Sequence, residues 1–224
     1  MISYVVCLYH EEAFGYMAEP SLMRQHRLYG AEIIVVRHAT SLYAAYEEGR
    51  QLATHPTVVY LHDDVALMDF DASVRIFDLM NRNECGLMGV VGAQKGGNQE
   101  LNLPWWTNNN LVGGWCSLRD DKRLWWNYGA NAQTPCELYT GTQRPEVGEV
   151  HLLDGIILCD RTNLPWLKRD GWHGYDADRC YQARGAGRTV MVGDLLVCHE
   201  NQPHDEAHMV EHRARMEELR EAYW

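Results

Sequence analysis

The chain has 224 residues with a formal net charge of −11, a size that suits one α/β domain with a sizeable core and a charge with no general attraction for nucleic acid or anionic membrane. Its composition, 46% hydrophobic and 23% charged, is that of an ordinary globular protein. No apolar run approaches the roughly 18 residues of a membrane span, and MISYVVCLYHEE lacks a basic leader and a small-residue cleavage site, so the expected location is a cytoplasm, bacterial or, if the chain is phage-encoded, the host's.

Ile2–Tyr9 reads as a first strand, Leu22–Tyr29 as helix-compatible, and Glu32–Val36 as a short buried strand. Residues Leu42–Ala53 carry helical apolar spacing at Leu42, Ala45, Tyr46, Gly49 and Leu52, and Thr57–Leu61 is a third buried strand. Short apolar runs separated by helical stretches indicate a parallel sheet with crossover helices. Phe70–Met80 is predicted helical and Gly86–Val91 a fourth strand. From Ala93 to Gly148 the chain is rich in Gly, Asn and Trp with little periodicity, which marks a functional segment or one that hides short strands. Regularity returns with a strand over Glu149–Cys159, a helix over Asp176–Ala186 ending at Gly187, a last strand over Thr189–Cys198 and a charged helix over Glu206–Tyr223. The seven cysteines form no C-x-x-C pair and are odd in number, so reduced, buried thiols are expected.

Ligands of open α/β sheets bind beyond the carboxyl ends of the strands. Three such ends carry unusual polar groups: Tyr9-His10-Glu11, Arg37-His38 and His62-Asp63-Asp64. In the last, a hydrophobic strand empties directly into two carboxylates. Adjacent acids repel unless a cation lies beside them, and oxygen ligands with open positions suit Mg²⁺ or Mn²⁺ bound to a diphosphate. Taken alone, such a pair is more often a solvated loop.

The segment Ser41-Leu42-Tyr43-Ala44-Ala45-Tyr46-Glu47-Glu48-Gly49, followed by Thr57 to Val65, resembles the family-2-type glycosyltransferases of GT-A fold, and most of all a subgroup whose strand ends in H-x-D-V. The order of later motifs extends the resemblance over roughly residues 1 to 200: Gly89-Val90-Val91-Gly92, Trp105-Trp106, Gly113-Gly114, Leu153-Asp154-Gly155, Gly174-Tyr175-Asp176-Ala177-Asp178 and Val197-Cys198-His199. It implies a GT-A (Rossmann-like) α/β fold, with a mixed, mainly parallel central sheet flanked by helices. It also implies a single domain over 1–224. Residues 1–65 would form the nucleotide-binding half, 66–200 the metal, donor-sugar and acceptor half, and 201–224 a C-terminal helical tail.

By the same resemblance, Asp64, His199 and His62 are expected at a Mn²⁺ or Mg²⁺ ion. Asp63 would face the nucleotide ribose and Asp154 and Gly155 the donor sugar, while Tyr9 and Arg37 are nucleotide-binding candidates from their place at strand ends. Asp176 is the catalytic base, with Asp178 as its back-up beside the acceptor. Trp172, His173, Trp105 and Trp106 are acceptor-binding candidates, since tryptophan faces stack on sugars and bases. Two departures stand out: Tyr175 occupies the place of the family's Glu before the base, and the second strand ends in Arg37-His38 where two acids usually contact the nucleobase.

The implied function is transfer of a sugar, with inversion, from a nucleotide sugar (UDP-sugar by default) to an acceptor hydroxyl. A glycan is the first choice of acceptor and a modified DNA base the second. A metal-dependent hydrolase of sugar nucleotides or phosphoesters, and a non-catalytic nucleotide-sugar-binding module, remain as alternatives. A zinc protease does not: His199, His204, His208 and His212 miss the H-E-x-x-H pattern.

Overall fold

A computed structural model describes residues 1–82, 85–94, 111–118, 124–128, 132–135 and 147–200, with positions 210, 211, 214, 215, 217 and 218 of the C-terminal segment. The first third is built from β1 (Ile2–Leu8), α1 (Glu11–Tyr16), α2 (Ala18–Tyr29), β2 (Glu32–Arg37), α3 (Leu42–Leu52) and β3 (Thr57–His62). α2 stops where Gly30 takes a left-handed φ of 66°, the usual helix terminator. Ser41 starts α3 by accepting the backbone N–H of Ala44 at 3.1 Å. Gly49 lets α3 lie flat on the sheet, because a Cβ there would stand 2.1 Å from Val5 Cγ1.

The chain continues through β4 (Val65–Leu67), α4 (Ala72–Arg82), β5 (Cys85–Gly89), β6 (Val91–Ala93), β7 (Leu111–Leu118), β8 (Leu124–Tyr128) and β9 (Ala132–Pro135). It ends in β10 (Gly148–Glu149), β11 (Leu152–Leu153), β12 (Ile157–Asp160), α5 (Tyr175–Gly185), β13 (Thr189–Val192) and β14 (Val197–His199). The main sheet has the order β10-β13-β5-β12-β3-β1-β2. β1 is parallel to both β2 and β3, and β13 is parallel to β5. β12 runs antiparallel to both β3 and β5, so β5 runs with β3. The sheet is therefore mixed and mainly parallel, as expected. A smaller sheet has the order β11-β6-β7-β14-β4, and β8 and β9 extend it from β7.

Side chains alternate across the main sheet. Ile2, Tyr4 and Val6 of β1 join one buried cluster with α2 and α4 residues, while Val5 and Cys7 join another with α3 and α5 residues. The sheet is thus covered on both faces, as a parallel sheet requires.

Three expectations are corrected. Glu149–Cys159 is not one strand but β10, β11 and β12, because the chain leaves the main sheet for the small one at Leu152–Leu153 and turns back at Asp154-Gly155. Thr189–Cys198 likewise divides at Gly193, with β13 in the main sheet and β14 in the small one. Helix also precedes Leu22: α1 occupies 11–16 and the start of α2 18–21. The irregular stretch after Ala93 hides β7, β8 and β9. Trp105, Trp106, His204, His208 and His212 lie outside the described residues. The six cysteines described are free and buried, and no helix among the described residues is long and apolar enough to cross a membrane.

Candidate active site

β3 ends at His62 and β4 begins at Val65, so the triplet His62-Asp63-Asp64 is the tight link between the two sheets. The turn at Asp63 and Asp64 brings His62 and Asp64 together: His62 Nδ1 lies 3.9 Å from Asp64 Oδ1. β14 pairs antiparallel with β4 in a register that sets His199 opposite Val65, and the Glu200 backbone N–H donates to the Asp64 carbonyl at 3.1 Å. This pairing brings His199 Nε2 to 3.3 Å from Asp64 Oδ1. One donor atom from each of His62, Asp64 and His199 falls within 4.8 Å of the others.

The electrostatics match this geometry. Burial alone would raise the Asp64 carboxyl, but the hydrogen bond and charge of His199, with His62, outweigh it and hold Asp64 below the usual carboxylate range. Burial pulls the His199 imidazole down, and Asp64 more than offsets this, leaving it above its ordinary value. The Nδ1 of His199 is buried without a hydrogen-bond partner among the described residues. Two imidazoles and a carboxylate are a donor set that divalent first-row metals accept, so these residues fit an ion.

Asp63 points elsewhere. Its Oδ2 accepts the backbone N–H of Tyr9 at 2.7 Å and that of His10. The carboxylate expected on the ribose is bonded here to the turn between β1 and α1. Tyr9, so positioned, is 66% exposed at the strand end, its ring 5.4 Å from that of Trp172. Arg37, also exposed, pairs with Glu11 at 2.7 Å.

Beside the triad lies the turn Asp154-Gly155. Asp154 Oδ1 accepts the N–H of Ile156 at 3.0 Å, and burial raises its carboxyl. The Gly155 N–H donates at 3.1 Å to Oδ2 of Asp176, in the first turn of α5, and Asp176 Oδ1 accepts from Ala177 N–H at 2.8 Å. Burial, reinforced by the charge of Asp154, pushes the Asp176 carboxyl up to about 7. A carboxylate poised near neutrality is what general-base work needs.

Asp178 differs from Asp176 in kind. It is buried, and its Oδ2 accepts from the Tyr43 hydroxyl at 2.7 Å, pairs with Arg215 of the C-terminal segment and lies 3.4 Å from Arg169 Nε. These donors all meet Oδ2, while Oδ1 is buried without a hydrogen-bond partner among the described residues. The same C-terminal segment holds the neighbouring loop: Glu211 Oε1 accepts the Trp172 backbone N–H at 2.8 Å. His173 is half-buried in that loop.

Sequence reasoning missed four contributors. Arg215 and Glu211 sit on a charged segment without a pattern. Arg179, fully buried, joins Asp160 to the carbonyls of Leu164 and Pro165 and thereby fixes α5. The fourth is the hydroxyl of Tyr175, 2.6 Å from His62 Nε2; its only sequence signal was the unusual residue before Asp176.

The sequence matches the family described as glycosyltransferase-like over residues 3–223. No curated protein matches it. Among solved structures, the fold is similar to that of GalNAc-T7, solved with UDP, GalNAc and Mn²⁺, at a TM-score of 0.55 and 13% identity over 90% of this chain. The chain spans 44% of the length of that protein. It also aligns with A197 from STIV at a TM-score of 0.48 and 10% identity, covering 90% of this chain and 86% of A197.

Proposed function

The chain belongs to this glycosyltransferase-like family, and on that premise we propose that it moves a sugar from a nucleotide-sugar donor to an acceptor hydroxyl with inversion. The observation that carries the proposal is the meeting of His62, Asp64 and His199 within 4.8 Å, at the edge where the two sheets join and beside the Asp154-Gly155 turn that binds Asp176. UDP is the favoured nucleotide, in keeping with the UDP, GalNAc and Mn²⁺ of the GalNAc-T7 structure. A glycan is the favoured acceptor; no comparison supports the modified DNA base.

His62 Nδ1, Asp64 Oδ1 and His199 Nε2 would hold a Mn²⁺ or Mg²⁺ ion. Such an ion, when bound, neutralises charge that builds on the departing diphosphate. Asp176 takes the proton of the acceptor hydroxyl. The freed oxygen pair forms the new bond to the anomeric carbon as the old carbon–oxygen bond breaks, and its electrons leave on the nucleoside diphosphate. A single displacement of this kind inverts the centre. Burial, reinforced by the charge of Asp154, keeps the Asp176 carboxyl high enough to hold that proton near neutral pH. The exposed ring of Tyr9 and the Trp172 ring beside it form an aromatic wall for a base or sugar face. Asp63 serves nucleotide binding through the turn that carries Tyr9.

The test is a thermal-shift screen of UDP-, GDP- and dTDP-sugars with Mn²⁺, since a ligand of the folded state raises its apparent stability. A rise with UDP-sugars is expected; a flat response to all donors would sink the transferase reading. Rapid release of free sugar without acceptor would favour the hydrolase, and binding without turnover would favour the binding module.

A further inference from the structure

Tyr175 stands directly before Asp176 in the first turn of α5. Its ring is buried among Tyr43, Tyr46 and Trp166, with centroids 6.4, 5.6 and 6.4 Å away. A phenylalanine would fill that space as well. The hydroxyl does something a phenylalanine could not: it reaches the end of β3 and lies 2.6 Å from His62 Nε2. The chain makes room for it. A Cβ at residue 155 would stand 2.0 Å from this oxygen, so Gly155 is the residue that admits it. The end of β3, the turn after β11 and the start of α5 thus meet at one phenolic oxygen.

The other nitrogen of His62, Nδ1, faces Asp64 Oδ1 at 3.9 Å. A neutral imidazole offers a lone pair on one nitrogen only, and the other carries the proton. Which is which depends on the hydrogen bond made by the nitrogen that does not ligate.

We propose that Tyr175 is a positioning residue for the metal site: its hydroxyl accepts the Nε2–H of His62 and holds the ring with the Nδ1 lone pair aimed at the point where Asp64 and His199 converge. The inference rests on the reading of His62, Asp64 and His199 as metal ligands given above. It adds a mechanical consequence. Tyr175 and Asp176 are consecutive, so the turn that sets the base also sets a ligand, and a shift of α5 would move both together. The residue standing in the place of the family's Glu thereby takes up a second task.

The test measures Mn²⁺ affinity, by the electron paramagnetic resonance of the free ion, in the wild type and in Tyr175→Phe, His62→Ala, their double variant and Asp64→Asn, without donor or acceptor. Tyr175→Phe is expected to weaken Mn²⁺ about tenfold or more, the usual cost of losing a residue that orients a ligand, while the circular dichroism of the metal-free protein stays that of the wild type. Saturating Mn²⁺ should restore most of kcat. In the His62→Ala background the Tyr175→Phe change should cost nothing further, because the hydroxyl acts through His62. Wild-type affinity in Tyr175→Phe alongside lost affinity in Asp64→Asn overturns the inference and leaves the metal site standing, as does an equal loss in both backgrounds. Equal Mn²⁺ binding by wild type and Asp64→Asn overturns the metal reading itself. Long-range ¹⁵N correlation of the wild-type protein with Mg²⁺ or Zn²⁺ gives a check independent of variants: a proton on Nε2 of His62 is expected, and a proton on Nδ1 overturns the inference.

Discussion

Nε2 of His199 lies 3.3 Å from Oδ1 of Asp64, and the contact exists because β14 and β4 pair in the small sheet with His199 opposite Val65. Without an ion the pair is proton-linked. The folded-state value of His199 is raised above 6.5, so its share of stability is full at low pH and is lost as pH rises through the raised value. The lowered value of Asp64 has the opposite sign: its share is present above its unfolded value and is lost as pH falls through the folded one. The two together stabilise the metal-free protein best at mildly acidic pH. An ion needs the lone pair that the proton occupies. Mn²⁺ affinity should therefore fall as pH drops below the value of His199, with proton release on binding, as calorimetry in buffers of different ionisation enthalpy would show. Asp64→Asn and His199→Ala should each weaken Mn²⁺ by at least about 10–100-fold, since even residues behind the ligands cost that much.

Asp176 gives a prediction in two parts. Asp176→Asn should lower kcat by roughly 10²–10⁴, the ordinary contribution of a general base, and leave Mn²⁺ and nucleotide affinity intact. The wild-type kcat/KM should rise with pH through about 7, where Asp176 loses its proton. The stability sign is also fixed. A carboxyl raised in the folded state favours folding while protonated and loses that contribution as pH rises through about 7. The Asn variant should therefore gain on the wild type in Tm as pH increases across that range. One pKa unit corresponds to about 1.4 kcal/mol, so the relative gain should reach about 1 kcal/mol even after heavy screening. A pH-independent Tm difference would contradict the raised value.

Asp178 should behave as an anchor. Arg215→Met removes one of its donors while Tyr43 and Arg169 remain, so the cost should be about 1–3 kcal/mol, less than the 3–5 of a fully stripped buried pair. Limited proteolysis should show earlier cleavage in the C-terminal segment, which Arg215 and Glu211 hold to Asp178 and to the Trp172 backbone. Asp178→Asn should lower stability yet keep kcat near that of the wild type. A kcat loss equal to that of Asp176→Asn would restore Asp178 as a base.

The parts of this site differ in how far the sequence reveals them. The strands β1, β2 and β3 were legible because each is a short, mainly apolar run of six or seven residues with helix between, although β2, at the sheet edge, is mostly half-buried and not buried as expected. The small sheet was not. β4 and β14 have three residues and β11 has two, too few for any period to show, and the switch between sheets within Thr189–Cys198 is marked only by the Gly193-Asp194 interruption. Asp64, Asp154 and His199 still stood out, because each is a polar side chain following an apolar run, whichever sheet the run joins, while Asp176 was expected there only from the resemblance of Gly174-Tyr175-Asp176-Ala177-Asp178 to a family motif. The contacts of Asp63 and Tyr175 were hidden for a different reason. Each depends on where one atom meets a distant segment: the Asp63 carboxylate at Tyr9 and His10, the Tyr175 hydroxyl at His62. Neither contact leaves a spacing to read.

Asp63 supplies a discriminating experiment for that reason. Its carboxylate accepts the backbone N–H groups of Tyr9 and His10, two exposed residues whose freed N–H groups water can reach, so Asp63→Ala should lower stability by only about 1–2 kcal/mol, the net worth of the hydrogen bonds lost. Mn²⁺ affinity should fall far less than in Asp64→Asn, since Asp63 faces away from the triad. UDP affinity should fall because the turn that carries Tyr9 loosens. If Asp63 acts only through that turn, its replacement in a Tyr9→Ala background should cost little more UDP affinity than Tyr9→Ala alone. An undiminished loss in that background would instead place the carboxylate directly on the ribose, and titration calorimetry of the two single variants and the double variant separates these outcomes.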